Sequence, residues 1–267
     1  MRLKTDSKMT LDDIVDTSTY PLGDTNFREQ CRTTLDCDGA LNLGAFVRES
    51  ALQAVHREGE ESQHRAYFCS QEHNVYLTES DASFNAAHPR NRTVISSKGC
   101  ITDDIVASDS PLRVLYDSPH FREFLCSVLG EQSLYNYADP LSSINLHYAS
   151  HGQELGWHFD NSSFAITLLI QAPIAGGEFE YLDKMRDAAR GDMNFAGVER
   201  VLAGEVEPKQ IEMKAGTLLL FRGHDAMHRV KPTQGTRTRM LVVLAYNSKP
   251  GVSLSESARM TFYGRLA

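Results

Sequence analysis

Two side chains that commonly bind metals lie close together in this sequence. They are His158 and Asp160, in the segment GWHFD of residues 156–160. In an extended strand, residues two apart project from the same face, so the imidazole and the carboxylate would occupy adjacent positions around one metal ion. A histidine near an aspartate is often only a structural pair, so a third ligand is needed. His228, which follows the apolar run 218–221, is the best-placed candidate.

Two histidines and one carboxylate are the donor set of non-haem iron(II) oxygenases, and they leave three coordination positions open. Those positions would accept a bidentate co-substrate and O₂. His224 lies four residues before His228, and a His-x-x-x-His pair on a helix could instead bind zinc. Gly223 and the apolar strand before it argue against a helix here, so the sequence favours His228 without His224.

Two arginines that follow His228 could hold an anionic co-substrate. Arg237 and Arg239 open a predicted strand and lie on one of its faces. A guanidinium pairs with a carboxylate through two parallel charge-assisted hydrogen bonds, and burying it without an anion would be costly. We expect one of the two to bind a dicarboxylate co-substrate and prefer Arg237; a surface position on an edge strand is the alternative.

Tyr148 and Gln171 are further candidates for contact with the co-substrate. The phenol of Tyr148 could donate a hydrogen bond to a carboxylate, although a half-buried core tyrosine is an equally good interpretation. Gln171 ends the apolar strand 164–171, and a plain strand end is its alternative role. His147 should face away from Tyr148 and is expected to be structural.

The elements that must position these residues are strands separated by glycine and proline turns. We predict strands at 143–148, 164–171, 178–182, 209–213, 216–221 and 237–246. Many short strands with such turns are typical of a jelly roll or a related sandwich. We predict a mainly β fold with flanking helices.

The remaining segments are predicted to be less regular. We expect an N-terminal arm over 1–34 with a short helix near 11–15, a strand near 41–45, helices over 46–58 and 111–130, a long loop over 80–110, and a polar insertion over 183–205.

Composition narrows the classes of partner. The formal net charge is −8, and phosphate binding needs clustered lysine and arginine, so nucleic acid is not an expected partner. Five scattered cysteines without a Cys-x-x-Cys pair fit a reducing compartment, and no stretch approaches the length of a membrane span. We expect a cytoplasmic protein that acts on a small molecule; the sequence does not indicate its oligomeric state.

The stretch from about 143 to 246 resembles the Fe(II)/2-oxoglutarate dioxygenase superfamily. The resemblance rests on the motifs WHFDN (157–161), GGEFE (176–180), GTLLLF (216–221) and HRVKP (228–232), followed by Arg237. It implies a double-stranded β-helix (a cupin-like jelly roll) with helices packed outside, in one domain over 35–267. It also implies Fe(II), 2-oxoglutarate and O₂, with the far carboxylate of 2-oxoglutarate held by Arg237.

The segment NSSFAIT (161–167) and the tail MTFYGR (260–265) resemble a branch of small bacterial enzymes that act on free amino acids. That branch includes radical halogenases of lysine-like substrates and related hydroxylases. The halogenases have Gly or Ala at the carboxylate position, so that chloride can bind iron. Asp160 stands there in this chain, so the resemblance implies hydroxylation of a free, lysine-like amino acid, with release of succinate and CO₂.

Side chains that could hold the charged groups of an amino acid are candidate substrate ligands. Arg92 and Arg222 could bind its carboxylate, and Asp139, Asn161 and Glu154 could accept hydrogen bonds from its ammonium group.

Other functions remain open at this point. Desaturation, cyclisation, demethylation or halogenation could use the same cofactors, and a metal-binding barrel could be non-catalytic. Nucleic-acid repair would need a basic groove with aromatic stacking platforms, which the acidic charge disfavours.

Overall fold

One curled antiparallel sheet is the framework of the protein. The computed structural model describes residues 9–267. The strands are β1 (Ala40–Leu43), β2 (Tyr67–Asn74), β3 (Thr93–Ile101), β4 (Ile144–Ala149), β5 (Leu155–His158), β6 (Ala165–Gln171), β7 (Ala175–Gly176), β8 (Phe179–Leu182), β9 (Lys209–Ile211), β10 (Leu218–Phe221), β11 (Met227–Val230), β12 (Thr233–Gln234) and β13 (Arg239–Leu244). Ten strands follow the order β1-β10-β6-β13-β4-β3-β5-β11-β8-β9, β2 adds to β3, and β7 pairs separately with β12.

Seven α-helices accompany these strands in the described part of the chain. They are α1 (Leu11–Ile14), α2 (Thr25–Asp38), α3 (Glu49–Ser62), α4 (Pro111–Asp117), α5 (Pro119–Leu129), α6 (Phe195–Leu202) and α7 (Glu256–Tyr263). None of the helices in residues 9–267 has the length and apolar character needed to cross a membrane.

Strand β3 divides the sheet into two halves that face each other. It pairs with β4 through Gly99 to Ile101 and with β5 at Ser96. Across the interior, the ring of Phe221 on β10 lies 5.0 Å from the ring of Phe179 on β8, measured between centroids. The halves therefore close into a barrel, and the predicted mainly β fold of the double-stranded β-helix type is confirmed.

The main hydrophobic core lies outside the barrel, between the sheet and the helices. Side chains alternate between the two faces of a strand, and the apolar residues of β4 and β13 point outward. They are Ile144, Leu146, Tyr148, Met240, Val242 and Leu244. Helices α2 to α5 cover this face, with Phe121 and Phe124 of α5 fully buried. The inward faces of the same strands carry polar groups.

Three predicted elements differ from the observed ones, each for a physical reason. The expected loop over 80–110 contains β3, whose central SSKG sequence lacks the apolar alternation of a core strand. The expected arm over 1–34 contains most of α2, which buries Cys31 and Leu35 and is capped by the Asp24 carboxylate; residues 1–8 lie outside the described part. The predicted helix over 111–130 is two helices, because Ser118 caps α5 and Pro119 begins it.

The helix–sheet interface predicts the effect of truncating a core ring. Phe121→Ala should lower the free energy of unfolding by about 3–5 kcal/mol, because Phe121 is fully buried beside Phe46 and Phe124. Urea denaturation would measure the change. Phe68→Ala is the matched control, because half of the Phe68 side chain is exposed. An equal loss in both variants would contradict this location of the core.

Candidate active site

Three metal-ligating side chains converge at one end of the barrel. His158, Asp160 and His228 each offer a ligand atom, and these atoms lie within 4.8 Å of one another. Asp160 Oδ1 is 3.6 Å from His158 Nε2 and 3.5 Å from His228 Nε2. The structure thus brings together the three residues that the sequence proposed as ligands.

Pairing of β5 with β11 creates this convergence. His158 lies directly opposite His228 in the antiparallel register, and their ring centroids are 4.1 Å apart. Asp160 lies two residues beyond the end of β5, so the His-x-Asp unit is not wholly within a strand as assumed. Its backbone N–H donates to the carbonyl oxygen of Gly223 at 3.0 Å, and this contact fixes the turn.

Hydrogen bonds from the other ring nitrogens orient both imidazoles. His158 Nδ1 donates to the carbonyl oxygen of Gly156 at 2.7 Å, and His228 Nδ1 donates to that of Ala226 at 3.0 Å. A carbonyl can only accept, so each neutral ring carries its proton on Nδ1 and turns a free lone pair on Nε2 toward Asp160. Metal-bound histidines are commonly oriented in this way.

Protonation states in the cluster favour binding of a cation. Burial, reinforced by the neighbouring His228, lowers the pKa of His158. Burial alone would raise the pKa of Asp160, but the adjacent imidazoles of His228 and His158 hold it below its ordinary value. The Nε2 atoms of both rings and the carboxylate therefore face a common point. Two imidazole nitrogens and one carboxylate oxygen fit iron(II) with open coordination positions.

Gly223 leaves the space that the Asp160 carboxylate occupies. A Cβ atom built on Gly223 would overlap Asp160 Oδ2 and crowd the rest of the carboxylate. In the sequence, Gly223 served only as evidence against a helix. Its contact with the metal ligand becomes apparent only in three dimensions.

Two cavities adjoin the ligand cluster. The larger has a volume of about 270 Å³ and the smaller about 220 Å³. Lys98, Asp160 and Phe262 line both cavities, so the two spaces meet beside the carboxylate ligand. Phe262 belongs to α7, which therefore closes this end of the barrel.

Arg239, rather than the preferred Arg237, faces the interior. The guanidinium of Arg237 is exposed and donates to the carbonyl oxygen of Pro173 at 2.9 Å. Arg239 is buried, and burial lowers its pKa to about 10. Its stem passes Gly177, where a Cβ atom would come within 3.1 Å of Arg239 Cδ. Within residues 9–267, Arg239 forms no ion pair and donates no side-chain hydrogen bond, so its charge is available to an anion.

Tyr148 and Gln171 do not contact the interior as the sequence suggested. The fully buried Tyr148 points outward and donates to the carbonyl oxygen of Gly59 on α3 at 2.7 Å. Gln171 contacts His56 of α3 at 2.7 Å and donates to the Thr238 carbonyl oxygen at 2.8 Å. The pairing register of β6 with β13 shifts next to Gln171, so the Gln171 side chain does not continue the alternation of the preceding residues.

Among the candidate substrate ligands, Asn161 lines the larger cavity and the other four do not. Arg92 donates to the Leu202 carbonyl oxygen, and Arg222 pairs with Asp36 at 2.8 Å.

The remaining two candidate substrate ligands, Asp139 and Glu154, take part in hydrogen bonds that involve the backbone. Asp139 accepts hydrogen bonds from the backbone N–H groups of Leu141 and Leu254, a structural role. Glu154 lies just before β5, where its carbonyl oxygen accepts from the Ser97 N–H.

Lys98 and His147 are interior polar groups that the sequence reasoning missed. Lys98 lies in the segment assigned to a loop, and His147 was assigned a structural role on the strand face opposite Tyr148. The two residues do lie on opposite faces of β4, but it is the face of His147 that lines the larger cavity. The sequence held one indication of this orientation. Ile144, Leu146 and Tyr148 form an apolar face, which packs under the helices and leaves the face of His147 to the interior.

Comparisons with known proteins agree with this fold and site. A family model described as Halogenase D matches residues 24–261. No curated protein matches the chain.

Several solved structures share the fold. A 2OG-Fe(II) oxygenase family oxidoreductase from Burkholderia pseudomallei is 14% identical, with a TM-score of 0.53 over 85% of this chain and 93% of that one. The alpha-ketoglutarate-dependent epimerase SnoN from nogalamycin biosynthesis is 12% identical, with a TM-score of 0.58 over 84% of each chain. A second structure of SnoN, in complex with Fe³⁺, alpha-ketoglutarate and nogalamycin RO, is 13% identical and has a TM-score of 0.55 over 84% of each chain.

Crowding at the carboxylate predicts the effect of adding one methyl group. Gly223→Ala should weaken Mn(II) binding by at least about 10-fold, because its Cβ displaces the Asp160 carboxylate. Titration of the metal-free protein, followed by Mn(II) electron paramagnetic resonance, would measure the affinity. Gly23→Ala is the control, since a Cβ there has no neighbour within 4 Å. Unchanged Mn(II) affinity in Gly223→Ala would refute the assignment of Asp160 as a ligand.

Proposed function

This chain belongs to the halogenase D family and is an iron(II)- and 2-oxoglutarate-dependent oxygenase, and from that premise we propose that it hydroxylates a small substrate related to a free amino acid. The observation that carries the proposal is the convergence of His158, Asp160 and His228, with a carboxylate as the third donor. Such a set would hold iron(II) and would leave coordination positions open for 2-oxoglutarate and O₂.

Asp160 supports oxygen insertion over halogenation. Halogenation by the related enzymes requires a halide at the coordination position that this carboxylate would occupy. The Asp160 carboxylate stays ionised, because the adjacent His228 and His158 outweigh the effect of burial on its pKa. The Asp160 N–H is also held by the Gly223 carbonyl oxygen, so the carboxylate would occupy the position that a halide would need.

The bound cofactors supply the oxidising chemistry, in which O₂ and 2-oxoglutarate give succinate, CO₂ and one oxygen atom inserted into a C–H bond. The protein's own residues bind and orient. His158, Asp160 and His228 would hold the metal, and the hydrogen bonds of the two histidines to carbonyl groups keep the imidazoles in a binding orientation. Phe164 and Phe262 give the larger cavity apolar walls that limit access of water to the reacting carbon.

We assign the far carboxylate of 2-oxoglutarate to Arg239 instead of Arg237. Arg239 is a buried guanidinium without an acidic partner among residues 9–267, and such a group is stable only with an anion close by. A guanidinium binds a carboxylate through two parallel hydrogen bonds, which would fix the co-substrate's position relative to the metal.

The arginine assignment predicts different outcomes for two neighbouring substitutions. Arg239→Gln should raise the KM for 2-oxoglutarate by about 100-fold, because a charge-assisted pair worth about 3 kcal/mol is lost. Arg237→Gln should leave the KM nearly unchanged, since Arg237 bonds only to the exposed Pro173 carbonyl group. Succinate formation measured against 2-oxoglutarate concentration distinguishes them, and the opposite ranking would restore Arg237 as the ligand.

Reaction products test the proposed function itself. With Fe(II), 2-oxoglutarate and O₂, a substrate from a panel of acidic, neutral and basic amino acids should stimulate succinate formation and gain one oxygen atom by mass spectrometry. The product should not change when chloride is added, and Asp160→Ala or His228→Ala should abolish turnover. A chlorinated product would refute hydroxylation, and full activity in either ligand variant would refute the metal assignment.

A further inference from the structure

Lys98 is a cation that the metal and co-substrate assignments do not use. It projects from β3 into the space where the two cavities meet. Its Nζ atom lies 3.4 Å from both ring nitrogens of His147 and 5.5 Å from the centre of the Phe262 ring. An ammonium group has three hydrogen-bond donors, and these neighbours satisfy at most one of them.

The surroundings of Lys98 lack a counter-charge. Within residues 9–267 it forms no ion pair, and Asp160, which is committed to the metal cluster, is the one carboxylate that lines either cavity. His147 cannot accept a proton readily, because burial together with the charges of Lys98 and Arg239 holds its pKa well below the ordinary value. A partly buried ammonium in this setting is stabilised by an anion that enters from solution.

That anion is distinct from the far carboxylate of 2-oxoglutarate. Arg239 lies opposite Ala149 at one end of the β4–β13 pair. The larger cavity, with Lys98 on its wall, contacts Asn145 and Val243, which face each other near the other end of the same pair. Lys98 itself starts level with Ala149 and Arg239, because its neighbour Gly99 pairs with Tyr148, but its ammonium group contacts His147 and lines both cavities, whereas Arg239 lines neither. The two cations therefore border different spaces, and Lys98 borders the one beside Asp160.

The rest of the larger cavity is neutral. Its wall combines apolar side chains with hydroxyl and amide groups, namely Phe164, Val243, Phe262, Tyr137, Asn145 and Asn161. A second positive charge on a substrate would find no acidic side chain on this wall apart from Asp160. It would also be repelled by Lys98.

We propose that Lys98 binds the carboxylate of the substrate, and that the substrate is a small carboxylic acid whose side chain carries no cation. This inference rests on the proposed hydroxylase function and narrows it. The sequence resemblance favours a lysine-like substrate. The inference replaces it with a carboxylic acid whose side chain is uncharged, such as an aliphatic amino acid.

Binding measurements on acids and their corresponding amides test the proposal without requiring turnover. Norleucine, norleucinamide and lysine would be titrated calorimetrically into the protein loaded with Mn(II) and 2-oxoglutarate, alongside hexanoate and hexanamide. Each acid should bind at least about 10-fold more tightly than its amide, because the amide loses the ion pair with Lys98. Norleucine should also bind more tightly than lysine. Equal affinity of acids and amides, or tighter binding of lysine, would overturn the proposal.

Substitutions test whether Lys98 causes the preference for acids over amides. Lys98→Met should remove the preference for acids, Lys98→Arg should retain part of it, and Lys249→Met, at an exposed position, should leave it unchanged. A preference that survives in Lys98→Met would overturn the proposal. Circular dichroism and thermal unfolding of the same variants would show that each is folded.

A separate titration distinguishes this inference from the proposed function. Anaerobic addition of 2-oxoglutarate to the Fe(II) protein should give a metal-to-ligand charge-transfer absorption of similar midpoint in the wild type and Lys98→Met. A weaker 2-oxoglutarate midpoint in Lys98→Met, with the acid preference intact, would make Lys98 a co-substrate ligand and overturn the inference. Absence of the absorption in the wild type would refute the proposed function, whatever the binding preference.

Discussion

The register between β5 and β11 is the constraint on which the candidate active site depends. Because His158 lies directly opposite His228, a slip of one residue would turn one imidazole to the outer face of the barrel and separate the ligands. Each imidazole also donates to the carbonyl group two residues before it, so the two strands hold their rings in the same manner. The carboxylate is then added by the turn after β5, against Gly223.

The main apolar layer of the protein lies outside the barrel. Strands β4 and β13 turn most of their apolar side chains outward, where helices α2 to α5 cover them. The inward faces are thereby free to carry charged and polar groups such as Arg239, Lys98 and His147. Burial lowers the pKa of both Arg239 and Lys98, and an anionic ligand would offset the cost of burying these cations.

Much of this organisation could be predicted from the sequence, because apolar strands, glycine turns and the His-x-Asp motif are local features. The three candidate ligands were therefore predicted to meet in space, and the structure brings them together. Properties that depend on which strand or helix lies next to a given strand could not be predicted from the sequence. Nothing local states that Tyr148 faces helix α3, or that β13 begins at Arg239, which leaves Arg237 exposed in the segment before the strand. Strand β3 was missed because its polar centre faces a cavity rather than a core.

Strand β3 also has a mechanical role that follows from its pairing. In the described sheet it is the one hydrogen-bonded link between the half that contains β4 and the half that contains β5. Only Ser96 of β3 pairs with a residue of β5, and the Ser97 N–H adds a bond to the Glu154 carbonyl oxygen just before that strand, whereas three residues pair with β4. Any flexing of the two halves against each other would pass through β3 next to Lys98, and it would alter the separation between the Lys98 ammonium group and the candidate metal ligands His158 and His228.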